Sequence, residues 1–130
     1  NRSQIIFKGS NRIILDAYNA NPTSMKASIL SFCEAKQKKS VVVLGDMLEL
    51  GVYTEIAHQD IIKQIIDSNV EEVLTIGDCF FQTESEDKRL KKFKTIFEAE
   101  EYISKKNYTD REFLIKGSRG TALDHLLEIL

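Results

Sequence analysis

Ser40-Val41-Val42-Val43-Leu44-Gly45-Asp46 decides the fold class. After the serine this run is continuously apolar and β-branched, as a strand covered on both faces must be, and it stops at a glycine and an acid. The segment that follows, Thr54 to Ser68, changes period. Ile56, Ala57, Ile61, Ile62, Ile65 and Ile66 recur near 3.6 residues, the signature of an amphipathic helix. Val70 to Ile76 then reads as the next strand and ends at Gly77-Asp78. A buried strand, a helix and a second strand in this order form a βαβ unit, so Ser40–Leu44 is expected to be a central parallel strand.

Upstream, Ile5–Lys8 and Arg12–Asp16 are strand-like and flank the turn cluster Gly9-Ser10-Asn11, which predicts a hairpin and an antiparallel edge. From Thr23, the positions Met25, Ala27, Ile29, Leu30, Phe32, Cys33 and Ala35 lie on one helical face. The cations of Lys36 to Lys39 are expected to serve that helix's C-terminal dipole. Downstream, Thr83 to Lys92 is almost wholly polar and reads as a solvated loop. Lys94–Phe97 is expected to be a short strand, Glu98–Lys105 a helix, Glu112–Lys116 a strand and Thr121–Leu130 a helix. No internal repeat, linker or low-complexity segment interrupts the pattern. The predicted architecture is α/β: a Rossmann-like, open, mostly parallel six-stranded sheet with an antiparallel N-terminal edge and helices on both faces.

Composition bounds the function. The 130 residues suit one domain of the usual size, about 100–150 residues. Eighteen basic against twenty acidic residues give a formal charge of -2, which argues against a dominant nucleic-acid surface. No apolar run approaches the ~20 residues of a membrane span. The opening Asn-Arg-Ser-Gln lacks the basic and apolar regions of a secretory signal, so a cytoplasmic protein with reduced thiols is expected. Cys33, Cys79, His58 and His125 have no short ligand spacing, and no metal site is predicted.

In such sheets ligands gather where loops leave the carboxyl ends of the strands. Three segments fall there. Asp16-Ala17-Tyr18-Asn19-Ala20-Asn21-Pro22-Thr23-Ser24 sets a carboxylate at a strand end, suited to ribose hydroxyls, ahead of two amides; Asn21 alone reads equally well as the helix N-cap, with Pro22 at the first helical position. Leu44-Gly45-Asp46-Met47-Leu48-Glu49-Leu50-Gly51 carries two carboxylates among exposed-looking apolar residues, and by itself is compatible with an ordinary βα turn. Lys116-Gly117-Ser118-Arg119-Gly120 offers cations, a hydroxyl and backbone amides for a carboxylate or phosphate, although Lys116 reads as readily as a strand-end residue reaching solvent. A phosphate loop of the GxxxxGK[ST] type, a recognisable nucleophile–base set and a magnesium cage are all missing, so the chain is not expected to perform chemistry alone.

Taken together and in order, these three motifs closely resemble the C-terminal domain of the Mur ligases, in the branch that joins D-alanyl-D-alanine to UDP-N-acetylmuramoyl-tripeptide. The resemblance spans residues 1–130, with Asn1-Arg2-Ser3-Gln4 similar to the hinge from the family's central ATPase domain. It implies a peptidoglycan-precursor ligase in which ATP phosphorylates the precursor carboxylate and the incoming amine attacks the acyl phosphate. ATP and Mg2+ are the implied cofactors, the metal held mainly by the central domain; the N-terminal and central domains are the implied partners. By motif, Arg2 resembles the arginine that approaches the ATP phosphates in catalysis. Asp16 resembles the ribose-binding aspartate, with Tyr18, Asn19 and Asn21 in the same nucleotide-facing loop. Asp46, Glu49, Lys116, Ser118 and Arg119 resemble the segments lining the dipeptide pocket. Gly120 and Thr121 depart from the small residue and methionine with which the family often continues. The competing expectation is a non-catalytic, flavodoxin-like module that binds an acidic small ligand or a protein partner through the same loops.

Overall fold

The computed structural model describes residues 3–17, 19–36, 38–118 and 121–130. The expected Arg2, Tyr18 and Arg119 sites, and the first two residues of the expected hinge, lie outside them. Six strands form one sheet: β1 (Gln4–Lys8), β2 (Asn11–Asp16), β3 (Ser40–Gly45), β4 (Glu72–Ile76), β5 (Leu90–Phe93) and β6 (Glu112–Lys116). Their spatial order is β1-β2-β6-β3-β4-β5. Only β1 and β2 pair antiparallel, as the turn at Gly9 requires; β2–β6, β6–β3, β3–β4 and β4–β5 are parallel. All six residues of β3 are buried, which accounts for its unbroken apolar sequence.

Alternation along the strands divides the core into two layers. Val42, Leu44, Val73 and Leu114 point to one face and pack under α1 (Pro22–Glu34), α2 (Thr54–Ile66) and Phe80 of the short helix α3 (Asp78–Phe81). Val41, Val43, Leu74, Phe113 and Ile115 point to the other, beneath α4 (Ile96–Lys106) and the 3-10 turns of Leu123–Ile129. Helices therefore cover both faces.

Four local expectations need correction. The first helix ends at Glu34, and Lys36 adopts a left-handed φ of 52°, so the lysine run lies beyond the helix instead of within its last turn. The fifth strand is Leu90–Phe93, not Lys94–Phe97. Thr95 and Glu98 form a capping box that starts α4 immediately after it, which removes Lys94–Phe97 from the sheet. The segment from Thr83 is not merely solvated: Arg89 donates to the carbonyls of Ile66, Ser68 and Val70 and ties the loop to the start of β4. Finally, Leu123–Ile129 is 3-10 and not α-helical. Ala122 has φ 54°, which stops a helix from running through it, and the buried Leu123 and Leu126 keep the three-residue period of a 3-10 turn.

Candidate functional site

Chain connectivity makes β6 a switch point. β2 and β3 on either side of it lead into α1 and α2 on one face, whereas β6 leads toward the Leu123–Ile129 turns on the other. Loops that diverge this way leave a crevice at the carboxyl ends of the strands. On the β3 side the crevice is filled: a Cβ at Gly117 would lie 2.6 Å from Leu123 Cδ1, and one at Gly45 would lie 3.0 Å from Leu123 Cδ1 and Thr121 Oγ1. Both glycines are required by that close approach.

On the β2 side the crevice holds polar groups. Asp16 and Lys116 are direct partners in the β2–β6 register. Lys116 Nζ donates to Asp16 Oδ2 at 2.8 Å and to the Asn19 carbonyl at 3.2 Å. The Lys116 side chain is 1% exposed, which overturns the reading of a strand-end lysine reaching solvent; that of Asp16 is 16% exposed. A buried ammonium thus fixes one carboxylate oxygen from beneath and orients the group at a rim open to solvent. Asp16 also lines a cavity of about 370 Å³ between β2 and α1, together with Arg12, Ser28, Ser31 and Phe32. Asn19 is exposed. Asn21 caps α1: its Oδ1 accepts from the Ser24 amide at 2.9 Å while Ser24 Oγ accepts from the Asn21 amide. Ser118, half-buried, accepts the Thr121 amide and hydroxyl on its carbonyl and so turns the chain over Gly117.

The loop after β3 is built differently from its sequence appearance. Asp46 and Met47 are buried, whereas Leu48 and Glu49 are exposed. Asp46 Oδ2 and Oδ1 accept the amides of Cys79 and Phe80 at 2.9 Å each, so its carboxylate holds the first turn of α3. The approach is close enough that a Cβ at Gly77, where φ is 125°, would fall 2.3 Å from the carboxylate. Sequence reasoning considered His58 only as a zinc partner and missed its structural place. The signal was present, since His58 lies at i, i+3, i+4 and i+7 with Ile61, Ile62 and Ile65 on the apolar stripe. Its side chain is fully buried; Nδ1 donates to the Thr54 carbonyl at 2.7 Å and Nε2 accepts the Met47 amide at 2.9 Å. A carbonyl can only accept and an amide only donate, which fixes the Nδ1–H tautomer. The 3.9 Å separation of Nε2 from Asp46 is then a lone pair beside a carboxylate, not an ion pair.

Asp46, His58 and Cys79 bring donor atoms within 4.8 Å of one another. They do not fit magnesium, which takes oxygen ligands in octahedral array. The carboxylate is committed to two amides and the imidazole to two backbone groups. Burial first, and then the Asp46 charge, push the Cys79 thiol up to about 11, so it stays protonated at neutral pH. The cluster organises backbone. Among the described residues, no helix is long and apolar enough to cross a membrane.

Residues 1–125 match the family described as Mur ligase, glutamate ligase domain. The UDP-N-acetylmuramoyl-tripeptide--D-alanyl-D-alanine ligase of Rickettsia prowazekii is 32% identical over 130 residues, covering 98% of this chain and 29% of the relative. The ligase of the same name from Bacillus subtilis is 47% identical over 66 residues, 50% of this chain and 14% of that one. A crystal structure of MurF from Acinetobacter baumannii superposes with a TM-score of 0.85 at 30% identity, covering 98% of this chain and 29% of that one. MurF ligase from Thermotoga maritima, solved in complex with ADP, has a TM-score of 0.80 over 98% of this chain and 30% of its own; at 20% identity that likeness concerns the fold alone. The chain spans less than a third of the length of these relatives.

Proposed function

The chain belongs to the Mur ligase family, as its C-terminal, glutamate ligase domain, and from that premise we propose that it is part of a longer ATP-dependent ligase that joins D-alanyl-D-alanine to UDP-N-acetylmuramoyl-tripeptide. The names of the full-coverage relatives support the choice of substrates. A carboxylate is a poor acyl donor, so the γ-phosphoryl group of ATP is first transferred to it, releasing ADP. The dipeptide amine then adds to the acyl carbonyl, the tetrahedral intermediate expels phosphate, and the amine proton is lost to base. Magnesium and the phosphate loop are assigned to polypeptide outside this chain, whose sequence carries no loop of the GxxxxGK[ST] type and whose described residues include no fitting cation cage.

The observation that carries the reading is the Asp16–Lys116 pair on the rim at the β6 switch point. Lys116 holds the Asp16 carboxylate aimed, ready to accept hydrogen bonds from the ribose hydroxyls, with Tyr18, Asn19 and Asn21 as the neighbouring loop. Glu49, Ser118 and Arg119 border the dipeptide, Asp46 shapes its loop from beneath, and Arg2 approaches the ATP phosphates. Closure of the other domains over this rim completes the site and excludes water from the acyl phosphate. The isolated domain, a cytoplasmic piece in this reading, has no turnover.

In the full-length ligase, Asp16→Asn is expected to raise the ATP KM on the order of tenfold, equivalent to about 1.4 kcal/mol, with the dipeptide KM little changed. Phosphate release should depend on D-alanyl-D-alanine. An unaltered ATP KM counts against the ribose role, and release independent of the dipeptide counts against the substrate assignment.

A further inference from the structure

The loop after β3 has a rigid root and an exposed tip. At the root, the Asp46 amide donates to the Ile76 carbonyl at 3.1 Å, the Asp46 carboxylate takes two α3 amides, and the Met47 amide is taken by His58. The Phe80 ring stands edge-on against the imidazole, with centroids 4.6 Å apart, and closes the circuit from α3 back to α2. Immediately beyond, Leu48 and Glu49 emerge into solvent, with Glu49 at φ 61°. Tyr53 donates to the Leu50 carbonyl, which returns the chain to α2.

We infer that His58 is a positioning residue for the Leu48–Glu49 tip, latching it where the incoming dipeptide is bound. The inference rests on the reading above for the identity of that ligand. An ordinary core position does not require this chemistry: a leucine or phenylalanine fills apolar space, but leaves the Met47 amide buried without its partner, whereas the Thr54 carbonyl, at the start of α2, keeps its helical backbone bond. Imidazole joins them because its two nitrogens, held in one plane, accept from the loop and donate to the first turn of α2 simultaneously. The donated bond is internal to α2, from residue 58 to 54, so it sets the tautomer; the accepted bond crosses to the loop and transmits the restraint. Asp46 acts in parallel through α3. The tip therefore receives its direction from two helices, a restraint that reduces the ordering cost of binding.

The test uses the full-length ligase with His58→Phe and His58→Gln. Phenylalanine keeps a ring against Phe80 and deletes both hydrogen bonds; glutamine retains a carbonyl acceptor for Met47. Hydrogen exchange of the Asp46–Tyr53 amides is expected to accelerate roughly tenfold in His58→Phe while β3 and β4 stay protected, and the dipeptide KM to rise on the order of tenfold with the ATP KM unchanged. His58→Gln should hold both readouts within about threefold of the unaltered ligase. Loosening of β3 and β4 along with the loop in His58→Gln assigns His58 to packing alone and overturns the inference. So does faster loop exchange with an unchanged dipeptide KM. A ligase that does not use the dipeptide at all overturns the functional reading too, and exchange distinguishes that case because it registers the latch without substrate.

Discussion

The two ends of the sheet are both lined with buried polar groups, yet they use them in opposite ways. At the amino end the groups bind one another. Asn11 donates to the Tyr108 carbonyl and accepts the Arg111 amide, at 3.0 Å each. Glu72 accepts the hydroxyls of Tyr102 and Tyr108 at 2.9 and 2.8 Å, with Lys106 at 3.7 Å. Arg89 spans three carbonyls and Asp87. These contacts fasten loops and the α4 helix to the starts of strands. At the carboxyl end, Asp16 and Asp46 are fixed from below by Lys116 and by α3, and Asn19 and Glu49, three residues beyond each of them, are exposed. The lesson is one of direction: the amino end turns its polar groups inward on stability, whereas the carboxyl end uses them to orient side chains and loops at an open rim.

The largest expected effect separates the members of the carboxyl-end pair. Asp16→Ala leaves the Lys116 ammonium, 1% exposed, without its counter-charge, and removing one partner of a buried pair costs about 3 kcal/mol. Lys116→Met leaves instead a carboxylate that water reaches, and should cost about 1 kcal/mol. Urea unfolding of the two variants checks the order. Equal losses would mean that the lysine is hydrated, and the rim would then lack the buried support that distinguishes it.

At the amino end, Tyr108→Phe removes one bond to Glu72 and should cost about 1–2 kcal/mol without altering nucleotide or dipeptide KM. It also changes the alkaline limb. Burial, followed by the Glu72 bond and charge, raises the Tyr108 hydroxyl far above its ordinary value of 10.0. The unfolded chain therefore loses this proton first. Stability is fully present below the unfolded value and drains as pH rises past it. Between pH 8 and pH 10.5 the urea midpoint of the unaltered chain should fall further than that of Tyr108→Phe. Identical slopes would remove tyrosine ionisation from the account.

What was legible in the sequence was whatever depends on neighbours in the chain. The unbroken Val41–Leu44 run, the Gly9 hairpin and the Asn21-Pro22 helix start were readable because period, turn residues and caps are local. The failures were local conflicts or distant contacts. Thr95-x-x-Glu98 is a capping box that outweighed the strand propensity of Lys94–Phe97, and Ala122 broke a pattern that otherwise looked helical. Lys116 read as readily as a solvent-reaching lysine because its partner lies 100 residues away and is brought to it only by the β2–β6 register. Nor did the loop's sequence show that Asp46 is tied down, its two amide donors belonging to α3. Motif resemblance located the rim but not which of its residues face inward, because the inward ones are defined by partners that only the folded chain supplies.

The smallest effect on stability concerns Cys79, where the two uses of polar groups meet. Its amide donates to Asp46, and its thiol lies beside the same carboxylate on a partly open cavity lined by Gly51, Thr54, Gln59 and Gln82. Cys79→Ser should change the unfolding free energy by less than ~0.5 kcal/mol. Reactivity is where Asp46 registers. With the thiol pushed up to about 11, alkylation by iodoacetamide at pH 8 should be slow and rise with pH toward that value, since the thiolate is the nucleophile. Asp46→Asn keeps an acceptor for one of the two amides while deleting the charge, so the thiol should become more acidic and alkylate several-fold faster at pH 8. Mass spectrometry of the peptide carrying Cys79 reads the rate directly. Burial is the larger cause and persists in Asp46→Asn, so the rate should remain below that of a free thiol. A rate unchanged by the substitution would show that the carboxylate's field is spent entirely on the α3 amides, and that the root of the loop, like the amino end of the sheet, only binds itself.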